Sequence, residues 1–179
     1  MSVKYNFARP PVGFFAIKKI MKNLFLFASI ALASGLLLVN VYTSLIDSKS
    51  WGADIPNSIA AAREYFKHVN PGEFFRKFSP LNQVLGLLAL VLFWKSGPSV
   101  RLYLGAALGL YILGDVLTFA YFYPRNDIMF KNAQLTDTDL LKKTCSEWRS
   151  MNWVRSLIIL GGLFFSFMAL HKIYILRFK

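Results

Sequence analysis

Four apolar runs dominate this sequence, and a chain built that way has few folds open to it. Residues 24–46 are interrupted only by Asn40 and small hydroxyl residues. A run of about 23 residues makes roughly 34 Å of helix, enough to cross a hydrocarbon core of about 30 Å. Inside a bilayer each backbone polar group must find its partner within the protein, so such a run is helical. Further spans are expected at about 78–95, 100–123 and 153–174. The second is short and needs Phe78 to Pro80, or the residues after Trp94, to complete a crossing. The expected fold is all-α and membrane-integral, a four-helix transmembrane bundle forming a single domain over 1–179. Composition agrees: 55% of residues are hydrophobic, more than a soluble domain of this size carries.

The charges set the orientation. Lys4, Arg9, Lys18, Lys19 and Lys22 precede the first run with no acid among them. Lys95 and Arg101 flank the turn between the second and third runs, and Lys172, Arg177 and Lys179 follow the fourth. The two remaining loops mix basic and acidic residues. Short, purely basic segments stay cytoplasmic, so both termini are expected inside, with both long loops outside, in the plasma (inner) membrane. The net charge of +12 is therefore a topology signal, and no nucleic-acid partner is expected. Ala31-Leu32-Ala33 resembles a signal-peptidase site, but the apolar run continues through Leu36 to Val39, so the segment reads as an uncleaved anchor.

The loops carry local signals. Pro10-Pro11 and Gly13 argue against a regular helix at the start of the chain, and Phe14 to Ile17 suit the membrane surface. In the first outer loop Pro56 opens a short amphipathic helix with Asp54 as cap, lined on one side by Ile59, Ala62, Phe66 and Val69. Asn70-Pro71-Gly72 marks a turn, and Phe74, Phe75 and Phe78 suit an interfacial segment. Residues 124–147 form the second outer loop. Thr136, Asp137 and Thr138 then offer caps for a fourth helix that starts before the membrane and runs into the last span.

Depth brings polar residues together. Asp115 lies fourteen residues past Arg101, about 21 Å along a helix from the inner edge. Asn40 and Arg155 fall at similar depth in the outer half. A charge there costs about 2.5–3.5 kcal/mol and must face the bundle, so Asp115 is expected to pair with Arg155, directly or through water. Helical spacing puts Asn40, Thr43 and Asp47 on one face, and Tyr111, Asp115, Thr118 and Phe122 on another. Trp148, Asn152 and Arg155 share a third face, while Asn82 and Gln83 open the second span. The candidate ligand-binding residues are thus Asn40, Thr43, Asn82, Tyr111, Trp148 and Asn152. Their plainer reading is an interhelical hydrogen-bond network that only holds the helices together.

Other features carry less. His68 and His171 fall at opposite ends of the bundle and cannot share one metal or haem. No His/Glu motif with metal-ligand spacing is present, and no metal or other cofactor is expected. Gly105 and Gly109 are spaced for close helix packing. Cys145, the single cysteine, reads as a buried helix-face residue.

Pro124-Arg125-Asn126 at the end of the third run, followed by Trp148, Asn152 and Arg155 entering the fourth, resembles the anthrone-oxygenase-like family of four-span membrane proteins. The asparagine of the first span and the long, Phe-rich first outer loop are similar too, and the likeness runs from about Leu24 to Leu170. It implies a cofactor-independent, oxygenase-like reaction on a lipophilic phenolic or quinone-like compound. In such a reaction Asp115 is the base, Arg155 the cation that holds the enolate, and Asn126 or Asn152 a hydrogen-bond donor. The family pattern has histidine or asparagine at the position of Asn152; asparagine where many relatives carry histidine removes a titrating group and weakens an acid–base role there.

Two classes of function stay open. One is a membrane enzyme or binding protein for a lipophilic small molecule, with a cavity of about 300 Å³ or more. The other is an accessory or structural subunit whose polar cluster is fully paired and whose interior is filled. Expected partners are the small molecule and the bilayer; a homo-oligomer is left open.

Overall fold

The computed structural model describes residues 12–132 and 137–176, with side chains described from residue 20 onward. Every element among them is helical. In chain order they are α1 (Val12–Tyr42), α2 (Ser48–Trp51), α3 (Asn57–Tyr65), α4 (Pro71–Leu92), α5 (Pro98–Leu117), α6 (Tyr123–Asn126) and α7 (Thr138–Ile175). Wide i→i+5 turns at Thr43–Asp47, Thr118–Phe122 and Asp127–Lys131 join α1 to α2, α5 to α6, and α6 to its exit.

Three continuous helical stretches are long and apolar enough to cross a membrane: Ile20–Trp51, Pro98–Lys131 and Thr138–Ile175. This is an all-helical membrane protein. The fourth long helix, α4, is less apolar, because Glu73, Arg76 and Lys77 occupy its early turns and Asn82 and Gln83 its middle. It starts at Pro71, well before the expected 78, since proline is tolerated in a first turn and Pro80 does not break the helix.

The packing is governed by small and apolar residues. α1 lies against α4 and α7, and α5 against α4 and α7. One core, with Leu26, Ala33, Ala89, Val100, Leu104, Ala107 and Leu163, fills the space between these helices. Gly162 sits under the Tyr111 ring, where a Cβ would come within 2.5 Å of a ring carbon. A second core of Trp51, Ile59, Phe122, Met129, Leu141, Cys145 and Trp148 lies at the opposite end and joins α2, α3 and α6 to the first half of α7. Cys145 is buried in it, as expected.

Several local expectations change. Helix α1 begins at Val12 and takes in Gly13, so the irregular start does not apply to 12–22; residues 1–11 lie outside the described part. The stretch 124–131, expected as loop, is helical and prolongs α5. α3 buries Ile59 and Ala62, but Val69 falls beyond its end and is exposed. Asp54 does not cap α3 through its carboxylate, which instead accepts from the Asn57 side chain at 3.1 Å. Asp137 caps α7, accepting from the backbone N–H groups of Asp139 and Leu140; Thr136 lies outside the described residues. α7 then runs 38 residues without a break. Between α4 and α5 the chain turns at Gly97, whose φ of +120° disfavours a side chain.

Candidate functional site

The wide turns shape the site. Each adds one residue to a helical turn, and Thr43, Thr118 and Asp127, the residues that open them, all line one cavity. Such turns are frequent where helices build functional sites. Thr43 and Thr118 bond their hydroxyls back to the carbonyls of Val39 and Gly114, which satisfies groups that the altered ladder strains. The turn in the first helix also shifts its register. Ser48 is buried at the position where periodicity from Asn40 and Thr43 placed Asp47, and Asp47 does not line the cavity.

The cavity measures about 420 Å³ and lies between α4, the α5–α6 stretch, the segments that join α1 to α4, and α7. Trp51, Phe66, Phe130 and Trp148 form an aromatic wall, with Trp51 edge-on to Phe130 at 5.0 Å and to Trp148 at 5.2 Å. Phe75, Pro80, Phe119 and Tyr123 face it from α4 and the α5–α6 stretch. Arg63, Lys67, Arg76 and Lys131 contribute basic groups, against the carboxylates of Asp115 and Asp127. Asp127 is already paired with Lys131 at 2.7 Å.

At the deep end sit Asp115, Thr118 and Arg155. Asp115 accepts from Ser79 Oγ at 2.5 Å and from Gln83 Nε2 at 2.6 Å, so both of its oxygens are oriented by α4. Arg155 donates to Asn152 Oδ1 at 2.5 Å and to Thr118 Oγ1 at 3.3 Å. Its guanidinium lies 4.1 Å from the centre of the Phe122 ring and 5.2 Å from that of Phe75. It is 6% exposed and, among the described residues, has no carboxylate within ion-pairing distance. The direct form of the expected Asp115–Arg155 pair is thus absent among the described residues; the two charges are held separately on one cavity and attract each other across it. The reason is that Ser79 and Gln83 hold the carboxylate on the α4 side, while Asn152 and Thr118 hold the guanidinium on the α7 side. A guanidinium has five N–H groups. Only two hydrogen bonds, to Asn152 and Thr118, are made by that of Arg155.

The other expected residues divide into three groups. Trp148, Asn126 and Thr43 line the large cavity. Trp148 Nε1 donates to Asn126 Oδ1 at 2.8 Å, which leaves the Asn126 amide N–H groups as donors. Asn40, Asn82 and Tyr111 line a smaller pocket deeper in, about 20 Å³, which shares Phe75, Asp115, Thr118 and Arg155 with the large one. There Asn82 accepts from Ser29 at 3.1 Å and Tyr111 shares a bond with Ser166 at 3.1 Å. Asn152 lines neither. It is fully buried, donates to the Asn40 carbonyl at 2.9 Å and to Ser44 Oγ at 2.6 Å, and accepts from Arg155. Its place is behind the arginine, so it orients Arg155 and does not face the cavity.

Residues missed from the sequence are Ser79 and Phe75, which share a face of α4 with Asn82, and the aromatics Trp51 and Phe130. The i, i+4, i+7 spacing of Phe75, Ser79 and Asn82 was the available signal. Trp51 and Phe130 carry no such signal, because they reach the site through segments that leave the membrane-spanning register. Among the described residues no group of three or more His, Cys, Asp or Glu side chains is placed to hold a metal ion. His68 and His171 are both exposed.

The two short motifs meet in space. Arg125 clamps Glu147 through Nε at 3.1 Å and Nη2 at 2.7 Å, and stacks over Tyr121 at 3.4 Å. With the Trp148–Asn126 bond, this fastens α6 to α7 and holds Trp148, Asn152 and Arg155 in line with the cavity. The fold and this site define a class: a helical membrane protein with a polar, aromatic-walled cavity in one half of its helices. Residues 73–165, a little over half of the chain, match the family model described as anthrone oxygenase, and the protein belongs to that family. Searches of curated proteins and of solved structures found no match. The matched stretch holds both motifs and the Asp115 and Arg155 positions. Asn40, Thr43 and the segments that join α1 to α4 lie outside it, which narrows the likeness expected from Leu24 onward.

Proposed function

We propose that this protein is a four-span membrane enzyme of oxygenase type, with both termini cytoplasmic, acting on a lipophilic phenolic or quinone-like compound in the large cavity. One observation carries this reading. Arg155 is a buried cation with no direct salt bridge among the described residues, and it borders a cavity of about 420 Å³ with aromatic walls. Leaving a buried charge unpaired is costly, by several kcal/mol, and is retained where a ligand completes the pairing. The complement of that cation is an oxygen that carries negative charge, such as a phenolate or an enolate.

Asp115 is the base in this reading. It faces the same cavity, is held by α4 and makes no direct salt bridge to the guanidinium. It takes the acidic ring proton, and Arg155 stabilises the enolate oxygen that results. The enolate carbon then bonds to dioxygen, and the hydroperoxide that results takes up a proton and loses water as its O–O bond breaks, which leaves one oxygen as a ring carbonyl and the other as water. Asn126 offers its amide N–H groups to a second oxygen of the ring, with its carbonyl oriented by Trp148. The aromatic walls suit a flat ring system and exclude water from the reacting face. The membrane position suits a substrate delivered from lipid, and the family description supports oxygenase chemistry.

The alternative, a purely structural polar cluster, requires paired charges and a filled interior, and neither feature of the site favours it. The deciding experiment measures dioxygen uptake and absorbance of the detergent-purified protein with a simple anthrone. Arg155→Ala and Asp115→Asn are assayed alongside. Turnover in wild type and its loss in both folded variants is the expected result. If wild type neither binds nor oxidises the anthrone, and no phenolic or quinone copurifies with it, the enzyme reading fails.

A further inference from the structure

The deep pocket of about 20 Å³ carries its own chemistry. Two of its lining residues, Asn40 and Arg155, are 0% and 6% exposed. Each has a buried polar atom with no protein partner: the Oδ1 of Asn40 and the Nε of Arg155. The first accepts a hydrogen bond and the second donates one. The Asn40 amide is not free to turn around, because its Nδ2 donates to the Leu36 carbonyl at 3.1 Å, which aims Oδ1 the other way. Arg155 is likewise held at both terminal nitrogens by Asn152 and Thr118. Asn152 bonds to the backbone of Asn40 and to the side chain of Arg155, so the two orphan atoms belong to neighbouring groups.

A buried donor or acceptor left unmade costs about 1–3 kcal/mol. A water molecule needs roughly 10–15 Å³ and two or more polar partners. Pocket size and the donor–acceptor pair both match a single water. A diatomic gas would fit the volume but would leave both orphan atoms unsatisfied. We infer that this pocket is a binding site for one ordered water, which accepts from Arg155 Nε–H and donates to Asn40 Oδ1, linking α1 to the cation of α7. The water fixes the plane of the guanidinium. The site stands whatever occupies the large cavity, so its failure and the failure of the enzyme reading are separate.

The test is nuclear magnetic resonance of the full chain in nanodiscs, with ¹⁵N-labelled arginine. The Arg155 Nε–H signal is assigned by its loss in Arg155→Lys. In wild type we expect a through-space cross-peak from this proton to water, with exchange against bulk solvent slowed at least tenfold relative to exposed arginines such as Arg76. Asn40→Leu removes the acceptor and fills the space, and should abolish the water cross-peak while the Nε–H signal remains. Absence of the cross-peak in folded wild type overturns the proposal, as does its persistence in folded Asn40→Leu. Should Asn40→Leu not fold, wild type decides: the slowly exchanging cross-peak supports the site, and its absence overturns it.

Discussion

At the scale of single residues, the site rests on one buried asparagine as much as on its two charges. Asn152 ties Arg155 to the Asn40 backbone and to Ser44, so a change there leaves several buried groups unpaired. Asn152→Leu should cost about 1–3 kcal/mol per group left unsatisfied. It should lower the thermal unfolding midpoint in detergent before any effect on a ligand is considered; an unchanged midpoint would sink this role. Arg155→Lys keeps the charge but cannot reach Asn152 and Thr118 together in the planar geometry of a guanidinium. Affinity for an anionic phenolic probe should fall roughly tenfold or more, about 1.4 kcal/mol, in a binding titration. Gly162→Ala places a methyl group against the Tyr111 ring and should destabilise by about 1–3 kcal/mol. Gly161→Ala meets only the flexible Leu110 side chain, at 3.3 Å, and should cost less; equal midpoints for the two variants would contradict this packing.

At the scale of elements, α7 does the positioning. Its cap at Asp137 starts the helix before the membrane, and the same unbroken helix then presents Trp148, Asn152 and Arg155. Asp137→Ala should cost about 0.5–2 kcal/mol, while Asp137→Asn should stay near wild type, read from unfolding midpoints. This helix was legible in the sequence, since a capping residue and a regular polar face are local signals. The wide turns were not. Their effect on α1, where Ser48 is buried in place of Asp47, depends on how α2 packs against α7, and uniform 3.6-residue periodicity does not contain it. The early start of α4 at Pro71 has the same origin: its first turns are polar, and tertiary contacts around Phe75 hold them helical.

At the scale of the whole molecule, the open matter is which helices cross the bilayer. Three stretches satisfy length and apolarity, and α4 falls short because of the polar residues it brings to the site. If α4 also crosses, as proposed, Lys95 is cytoplasmic and Lys142 is outside. Both side chains are exposed, and Cys145 can be replaced to leave no other thiol. In a Cys145→Ser background, an impermeant maleimide added to intact cells should label Lys142→Cys at once. Lys95→Cys should be labelled only after the membrane is opened. The reverse pattern would overturn the proposed topology.

The sequence by itself determined that this chain is helical and membrane-bound, because long apolar runs admit only internally bonded helices in lipid. It also identified most of the polar residues that gather at one depth, and the two short motifs of the family, because helical spacing and depth are local properties of the chain. Tertiary structure alone decided how those residues divide between roles. It set Asp115 on Ser79 and Gln83 in place of Arg155, put Asn152 behind the arginine, and brought Trp51 and Phe130 to the cavity wall. Each of these depends on which side chain from a distant segment reaches a polar group first, and such competition is settled only when the helices pack.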